Sequence, residues 1–145
     1  MSTLTAAGSA LAISAGVPAT QDAAGFGALT YTEIGSIEKI GTIGSTFAKV
    51  EFQPLKGAKQ KHKGSVDYGA LSPSLAHDDA DAGQTLLRTG ADSPTALYAF
   101  KVTLADATLR YFQGRIFGYP ETVDGADSMV MANPTVEINT KPIKV

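Results

Sequence analysis

The stretch Tyr98 to Gly118, YAFKVTLADATLRYFQGRIFG, limits the possible folds of this chain more than any other. Tyr98, Phe100, Val102 and Leu104 fall on alternate positions, with Ala99, Lys101 and Thr103 between them. Successive side chains of a strand leave on opposite faces, so large apolar residues at every second position predict a half-buried β-strand. Ala105, Asp106 and Ala107 interrupt the pattern, and Asp106 can hydrogen-bond its own backbone in a turn. Leu109 and Tyr111 against Phe112 and Ile116 then resume it, rich in aromatic and β-branched residues. The reading is an antiparallel hairpin, with Gly114 and Gly118 marking a bulge, a bend or a second backbone close by.

A hairpin needs something to pack on. At 145 residues the chain is long enough for one domain with a real core and short for two. Leu, Ile, Val and Phe make up 33 of the 145, which places it outside the disordered class. A net charge of −2 with 18% charged residues gives the whole molecule no pull towards nucleic acid or an acidic membrane. Cysteine is absent. That excludes a disulfide framework, a thiol nucleophile and a thiolate metal site, and fits cytosolic synthesis. No run approaches the ~20 apolar residues of a membrane-spanning helix.

Residues 1–21 carry no side-chain charge, and Leu11, Ala12 and Ile13 form a small apolar centre. The segment lacks the Lys/Arg start of a secretory signal, and Ser, Gly and Thr dilute its centre, so it reads as a mobile or partner-bound arm. Pro18 and repeated glycines extend that reading through Gly27, since both oppose a helix. The expected organisation is an extended N-terminal arm over 1–25 and a single β-sandwich domain over 26–145.

Beyond the arm, ALTYT (28–32) reads as a strand. Ile34, Ile37, Ile40 and Ile43, broken by glycines at 35, 41 and 44, read as a strand with bends. FAKVEF (47–52) alternates like a strand, the Lys-rich 56–63 lacks apolar periodicity and reads as an exposed loop, and SVDYGAL (65–71) resumes strand character. Together 46–71 make a long hairpin with a basic tip. His77 to Gly90 is the one convincing helix, with Asp78 or Asp79 as its cap, Asp81 adding favourable charge, Leu86 and Leu87 on its buried side and Gly90 as its stop. Residues 128–132 and 135–139 give two short strands. The fold class is mostly β: a sandwich or open barrel of two antiparallel sheets with one flanking α-helix.

Catalytic signals are thin. No serine sits in a G-x-S-x-G elbow, and GFGALT (25–30) starts like a phosphate cradle but ends in Thr30 without opening a helix. Asp78, Asp79 and Asp81 lack the further acidic ligand, the sixth-position glycine and the twelfth-position glutamate of a calcium loop, so capping explains them. With no nucleophile–base pair, metal set or cofactor loop, neither an enzyme nor a bound cofactor is expected. Lys56, Lys59, Lys61, His62 and Lys63 form the one concentrated charge. Without interleaved aromatics they suit nucleic acid poorly, leaving open a solvated loop or a docking loop that attracts an acidic surface on another copy.

Three phrases carry a resemblance: Gly64-Ser65-x-Asp67-x-Gly69, Gly83-Gln84-x-Leu86-Leu87, and the hairpin end Tyr111-Phe112-x-Gly114. With the order of elements around them, residues 22–140 resemble the tail tube (major tail) proteins of long-tailed, non-contractile bacteriophages. One departure is the hairpin turn Ala105-Asp106-Ala107, where such hairpins often use Pro and Gly. The resemblance implies a sandwich that assembles into six-fold rings, with inner sheets joined in a continuous β-barrel, stacked into a conduit for the genome. It implies a virion tail protein made in the host cytoplasm, whose partners are itself, the tape measure, the tail terminator and distal tail proteins, with no membrane partner. Genomic DNA would pass without specific binding. Open sheet edges are templates for pairing, and a closed ring covers them, so the expectation is physically consistent. Lys56, Lys59, Lys61, His62 and Lys63 become the inter-ring contact. A conduit must not grip phosphates, so its wall should be neutral to acidic, with Glu33, Glu38, Glu51 and Asp67 as candidate lumen-facing residues. The alternatives are a discrete binding or capsid-decorating sandwich, and the tube protein of a contractile tail or type VI secretion system.

Overall fold

The computed structural model describes residues 3–145. In chain order the elements are β1 (Ala10–Ser14), α1 (Ala23–Gly27), β2 (Thr32–Glu33), β3 (Ile37–Lys39), β4 (Thr46–Phe52), β5 (Gln60–Asp67), β6 (Ala70–Leu71), β7 (Ser74–Ala76) and α2 (Ala82–Asp92). There follow β8 (Tyr98–Thr103), β9 (Leu109–Gly118), β10 (Glu121–Thr122), β11 (Met131–Ala132), β12 (Thr135–Ile138) and β13 (Ile143–Lys144). The architecture is mostly β, as the alternation predicts. A seven-stranded antiparallel sheet runs β2-β1-β8-β9-β12-β6, with β13 also paired to β9. A four-stranded sheet runs β10-β11-β7-β3, and β4 pairs only with β5.

The β8–β9 hairpin is the centre of the large sheet, with Phe100 directly opposite Phe112 and Lys101 opposite Tyr111. Tyr98, Phe100, Val102, Phe112 and Ile116 turn inward, where they meet Leu11 and Ile13 of β1, Val136 and Ile138 of β12, Leu75 of β7, Ala132 of β11 and Leu87 of α2. Both sheets and the longer helix thus share one core. The hairpin turn closes as expected: Asp106 Oδ1 accepts from the Thr108 amide at 3.2 Å and its hydroxyl at 2.7 Å. Ala107 takes the left-handed conformation there, at φ 72°.

The N-terminal segment departs from the expected arm. Ala10–Ser14 is an inner strand of the large sheet, paired with β8 over its whole length and with β2 on its other side. Leu11 and Ile13 are fully buried. The extended reading of 16–27 is likewise corrected. Asp22 caps α1 by accepting from the Gly25 amide at 2.8 Å, while the Thr20 hydroxyl bonds the same carboxylate at 2.6 Å. These two bonds, the hydroxyl first, hold the Asp22 carboxyl below its usual range. The helix exists to place Phe26, which is fully buried and stacks on Tyr111 at 5.6 Å between ring centroids. That contact, with Ala99, Leu29 and Tyr31, covers the side of the large sheet turned away from the main core. The first two residues of the expected arm lie outside the described residues.

Other boundaries shift for local reasons. Of the 28–32 strand, only Thr32 pairs, because Leu29 and Tyr31 pack on the Phe26–Tyr111 cluster. Along the isoleucine run only Ile37–Lys39 pairs, bounded by left-handed backbone at Ser36 and Gly41. The cap of α2 is Asp81, not Asp78 or Asp79. Its carboxylate accepts from the Gln84 amide at 2.9 Å and from the Gly35 amide at 3.2 Å. Nor does Gly90 end the helix. It lies inside α2 because a Cβ there would come 2.5 Å from Ile116 Cδ1 and 2.7 Å from the Tyr98 ring, so glycine serves close helix-to-sheet packing.

Candidate assembly surface

The β4–β5 hairpin is built from two alternating strands that face nothing of their own molecule. Thr46 pairs with Asp67, Phe47 with Val66, Lys49 with Lys63, Val50 with His62, Glu51 with Lys61 and Phe52 with Gln60, with a bulge between Phe47 and Lys49. Every residue of β4 is exposed, and of β5 only Gly64 is even half-buried. No member of either apolar cluster comes from 46–67. Alternation sorts the side chains into two faces. Ala48, Val50 and Phe52 share one with Gln60 and His62, while Lys49 and Glu51 share the other with Lys61 and Lys63. Val50 is 50% exposed, Phe52 58%, and Leu55 at the turn is completely exposed.

The charged face is only loosely self-satisfied. Lys49 Nζ lies 2.9 Å and Lys59 Nζ 3.6 Å from the Glu51 carboxylate, with the lysine side chains more than half exposed. Lys63 rests its ammonium over the Phe47 ring at 4.8 Å. Lys56 and Lys61 make no ion pair among the described residues. Exposed pairs of this kind contribute at most about 1 kcal/mol each. A lone two-stranded hairpin is marginal in water, and this one offers an unpaired edge on both sides.

Its attachment matters as much as its composition. The hairpin leaves from β3, the edge of the four-stranded sheet, and returns into β6, the edge of the seven-stranded sheet. It therefore springs from the side of the sandwich where both sheets end.

The predicted basic residues divide between turn and strand. Lys56 and Lys59 lie in the turn, but Lys61, His62 and Lys63 belong to β5, so a wholly looped 56–63 is corrected. The long hairpin with a basic tip stands. Two-residue alternation of Lys59, Lys61 and Lys63 was the available strand signal, carried by charge rather than by apolar residues. The four candidate lumen acids are not gathered in one place within the chain. Glu33 is on the edge strand of the large sheet, Glu38 on that of the four-stranded sheet, and Glu51 and Asp67 on the hairpin. Glu51 already holds two lysines, and Asp67 accepts from the Gly69 amide at 2.9 Å.

Elsewhere the polar groups serve the frame. The fully buried Gln84, which the sequence offers only as part of the phrase Gly83-Gln84-x-Leu86-Leu87, ties α2 to the loops around it. Its amide donates to the carbonyls of Gly35 and Ala76 and accepts from the Asp78 amide and the Tyr119 hydroxyl, all within 2.8–3.1 Å. His77 sits beside it, with Nε2 2.7 Å from Asp79 and Nδ1 3.6 Å from Glu121. Among the described residues no group of three or more His, Cys, Asp or Glu is placed to hold a metal ion, and no helix is long and apolar enough to cross a membrane. A cleft of about 710 Å³ opens beside Ile37, Ile40, Ile43, Val102 and Leu104, with Glu38 and Lys39 its only charged lining.

No protein-family model and no curated protein matches the chain. Solved structures do match. A chain of the sheath/tube terminator of an extracellular contractile injection system, PVC, in the extended state superposes with a TM-score of 0.73 at 7% identity, covering 100% of this chain and 98% of its own. A chain of the 6-fold symmetrised anti-feeding prophage (AFP) baseplate gives 0.73 at 10%, covering 100% and 97%. A chain of the PVC sheath–tube complex in the extended state gives 0.70 at 8%, covering 99% and 91%. At these identities the likeness is one of fold: the whole chain has a tail-tube-like architecture.

Proposed function

We propose that this chain is a non-enzymatic structural subunit that self-assembles through its β4–β5 hairpin into the tube of a phage-type tail. The observation that carries the reading is an eight-residue strand paired with a seven-residue one, exposed on both faces, beside the open ends of both sheets. A subunit that functioned alone would gain nothing from such an appendage, whereas a neighbour can cover its edges, its apolar face and its lysines together. Six copies per ring, stacked rings and passage of a genome through the lumen complete the proposal. Support for six comes from the fold likeness to a chain of a 6-fold symmetrised baseplate. Glu33, Glu38 and Asp67 remain the proposed acids of the channel wall, reached by assembly of separate strands, whereas Glu51 leaves that set because it shares its face with Lys49, Lys61 and Lys63 and already pairs with Lys49 and Lys59.

A second reading has its own observation behind it. Two of the similar structures named above come from an extracellular contractile injection system, so the tube of a sheathed particle competes with the non-contractile phage tail that the sequence phrases suggest. Electron microscopy of the purified protein tests both. Tubes or rings from the parent chain support self-assembly, and discrete monomers at every concentration sink it. Replacing Lys56, Lys59, Lys61 and Lys63 by Ser should leave the fold intact and impair tube growth, most visibly at low salt, where the parent's charge contacts are least screened. Co-expression with sheath proteins, scored for a decorated tube, separates the contractile from the non-contractile version.

A further inference from the structure

The hairpin is opposite in charge to the body that carries it. Five of the chain's twelve basic residues lie between Thr46 and Asp67, but only Glu51 and Asp67 of its fourteen acidic ones do. The rest of the chain is left with seven basic residues against twelve acidic. The imbalance is sharpest from the end of β9 onward: from Ile116 to Thr140 there is no Lys or Arg, while Glu121, Asp124 and Asp127 follow one another. Every residue from 121 to 130 is exposed. The same loop shows apolar side chains to solvent, Val123 at 74% and Met129 at 69%. The hairpin tip has the matching combination, the fully exposed Leu55 set among Lys56, Lys59 and Lys61.

We infer that residues 121–130 of one copy are the landing surface for the hairpin tip of the next. Lys56, Lys59 and Lys61 face Glu121, Asp124 and Asp127, and Leu55 packs against Val123. This rests on the self-assembly reading above and supplies the receiving half of its contact. Two different patches on one molecule make the contact heterologous, so it repeats from copy to copy and closes into a ring or runs on as a filament. Opposite charge steers the encounter and fixes register, while the apolar pair contributes burial. Among the described residues Asp124 and Asp127 make no ion pair and Glu121 meets only the His77 ring at 3.6 Å, whereas the acids before α2 are engaged within the molecule. Asp81 binds the amides of Gln84 and Gly35, Asp78 the Ala80 amide, and Asp79 the His77 ring.

Carbodiimide coupling of the full chain tests this directly. It joins a lysine amine to a carboxylate as an amide, the carbodiimide leaving as its urea, and no spacer remains between the two residues. In a mixture of ¹⁵N-labelled and unlabelled protein, mass spectrometry should find mixed-isotope links from Lys56, Lys59 or Lys61 to Glu121, Asp124 or Asp127. Asp124→Lys with Asp127→Lys should lower assembly by about tenfold or more, and adding Lys56→Glu with Lys61→Glu should restore it. Assembled particles whose hairpin lysines link to Asp78, Asp92 or no carboxylate overturn the landing surface and leave self-assembly standing. So do particles in which the reversed pair gives no recovery. A parent chain that forms neither multimers nor intermolecular links overturns both.

Discussion

The rings of Phe100 and Phe112 stack across the β8–β9 ladder, with centroids 5.4 Å apart and planes 15° from parallel. Both are fully buried and stand directly opposite one another. This pair turns an alternating sequence into a two-sided wall, since its inner face is filled and its outer face is left to Ala99, Lys101 and Tyr111.

Phe112→Ala should destabilise the chain by ~3–5 kcal/mol, from lost transfer energy and the cavity left against Phe100. Thermal unfolding checks it, and an unchanged midpoint would place the ring outside the core.

Ala107→Gly should stabilise the fold by about 1 kcal/mol. Ala107 holds a left-handed φ of 72°, which costs an L-residue roughly 1–2 kcal/mol and a glycine almost nothing, less glycine's larger entropy loss on folding. Denaturant unfolding reads the difference, and a loss of stability would mean that entropy outweighs the strain.

Gln84→Leu removes four hydrogen bonds at once and strands two carbonyls and the Asp78 amide, while the Tyr119 hydroxyl keeps the His77 ring at 3.4 Å. Each unmatched buried group costs about 1–3 kcal/mol, and relaxation will recover part of the sum. We expect a loss on the order of 3 kcal/mol, with hydrogen exchange accelerating first at the Asp78 amide, whose acceptor is the Gln84 side chain. Unchanged exchange there would show that the Gln84 bond does not protect it.

Alkaline pH should unfold the protein earlier than its composition suggests. Burial raises the Tyr119 hydroxyl above its usual pKa, outweighing the opposing effect of Arg88, and burial raises Tyr31 more strongly, helped by Tyr111. A folded-state pKa above the unfolded one gives stability that is complete below about pH 10 and lost as pH rises through the folded value. Thermal midpoints measured from pH 8 upward should therefore fall beyond pH 10, and Tyr31→Phe with Tyr119→Phe should flatten that fall. An equal slope in the double variant would assign the loss to other groups.

What could be read from sequence depended on whether a segment's environment differs between its two faces. Phe100 and Val102 alternate with Lys101 because one face of β8 meets the core and the other does not, so period two was visible. β1 sits between β2 and β8, with Leu11 and Ile13 inside and Ala12 and Ser14 under the α1 side, all four buried. A strand buried on both faces loses alternation, and ALAIS passed for a loose arm. α1 has five residues, two of them glycine, too few to form by propensity alone, so the Asp22 cap and the docking of Phe26 on Tyr111 hold it. The candidate surface shows the reverse problem. Neither face of β5 meets the body, so nothing selects apolar period two at Lys61, His62 and Lys63. Glu121, Asp124 and Asp127 are spread too widely in sequence to draw notice before the fold leaves their loop exposed.

Because no core side chain comes from residues 46–67, changes there and changes in the sandwich should add independently in their effect on stability. Selection can therefore rewrite what the appendage recognises without endangering the scaffold that displays it. The chain separates the inheritance of shape from the inheritance of partner choice, and a descendant could keep the first while changing the second.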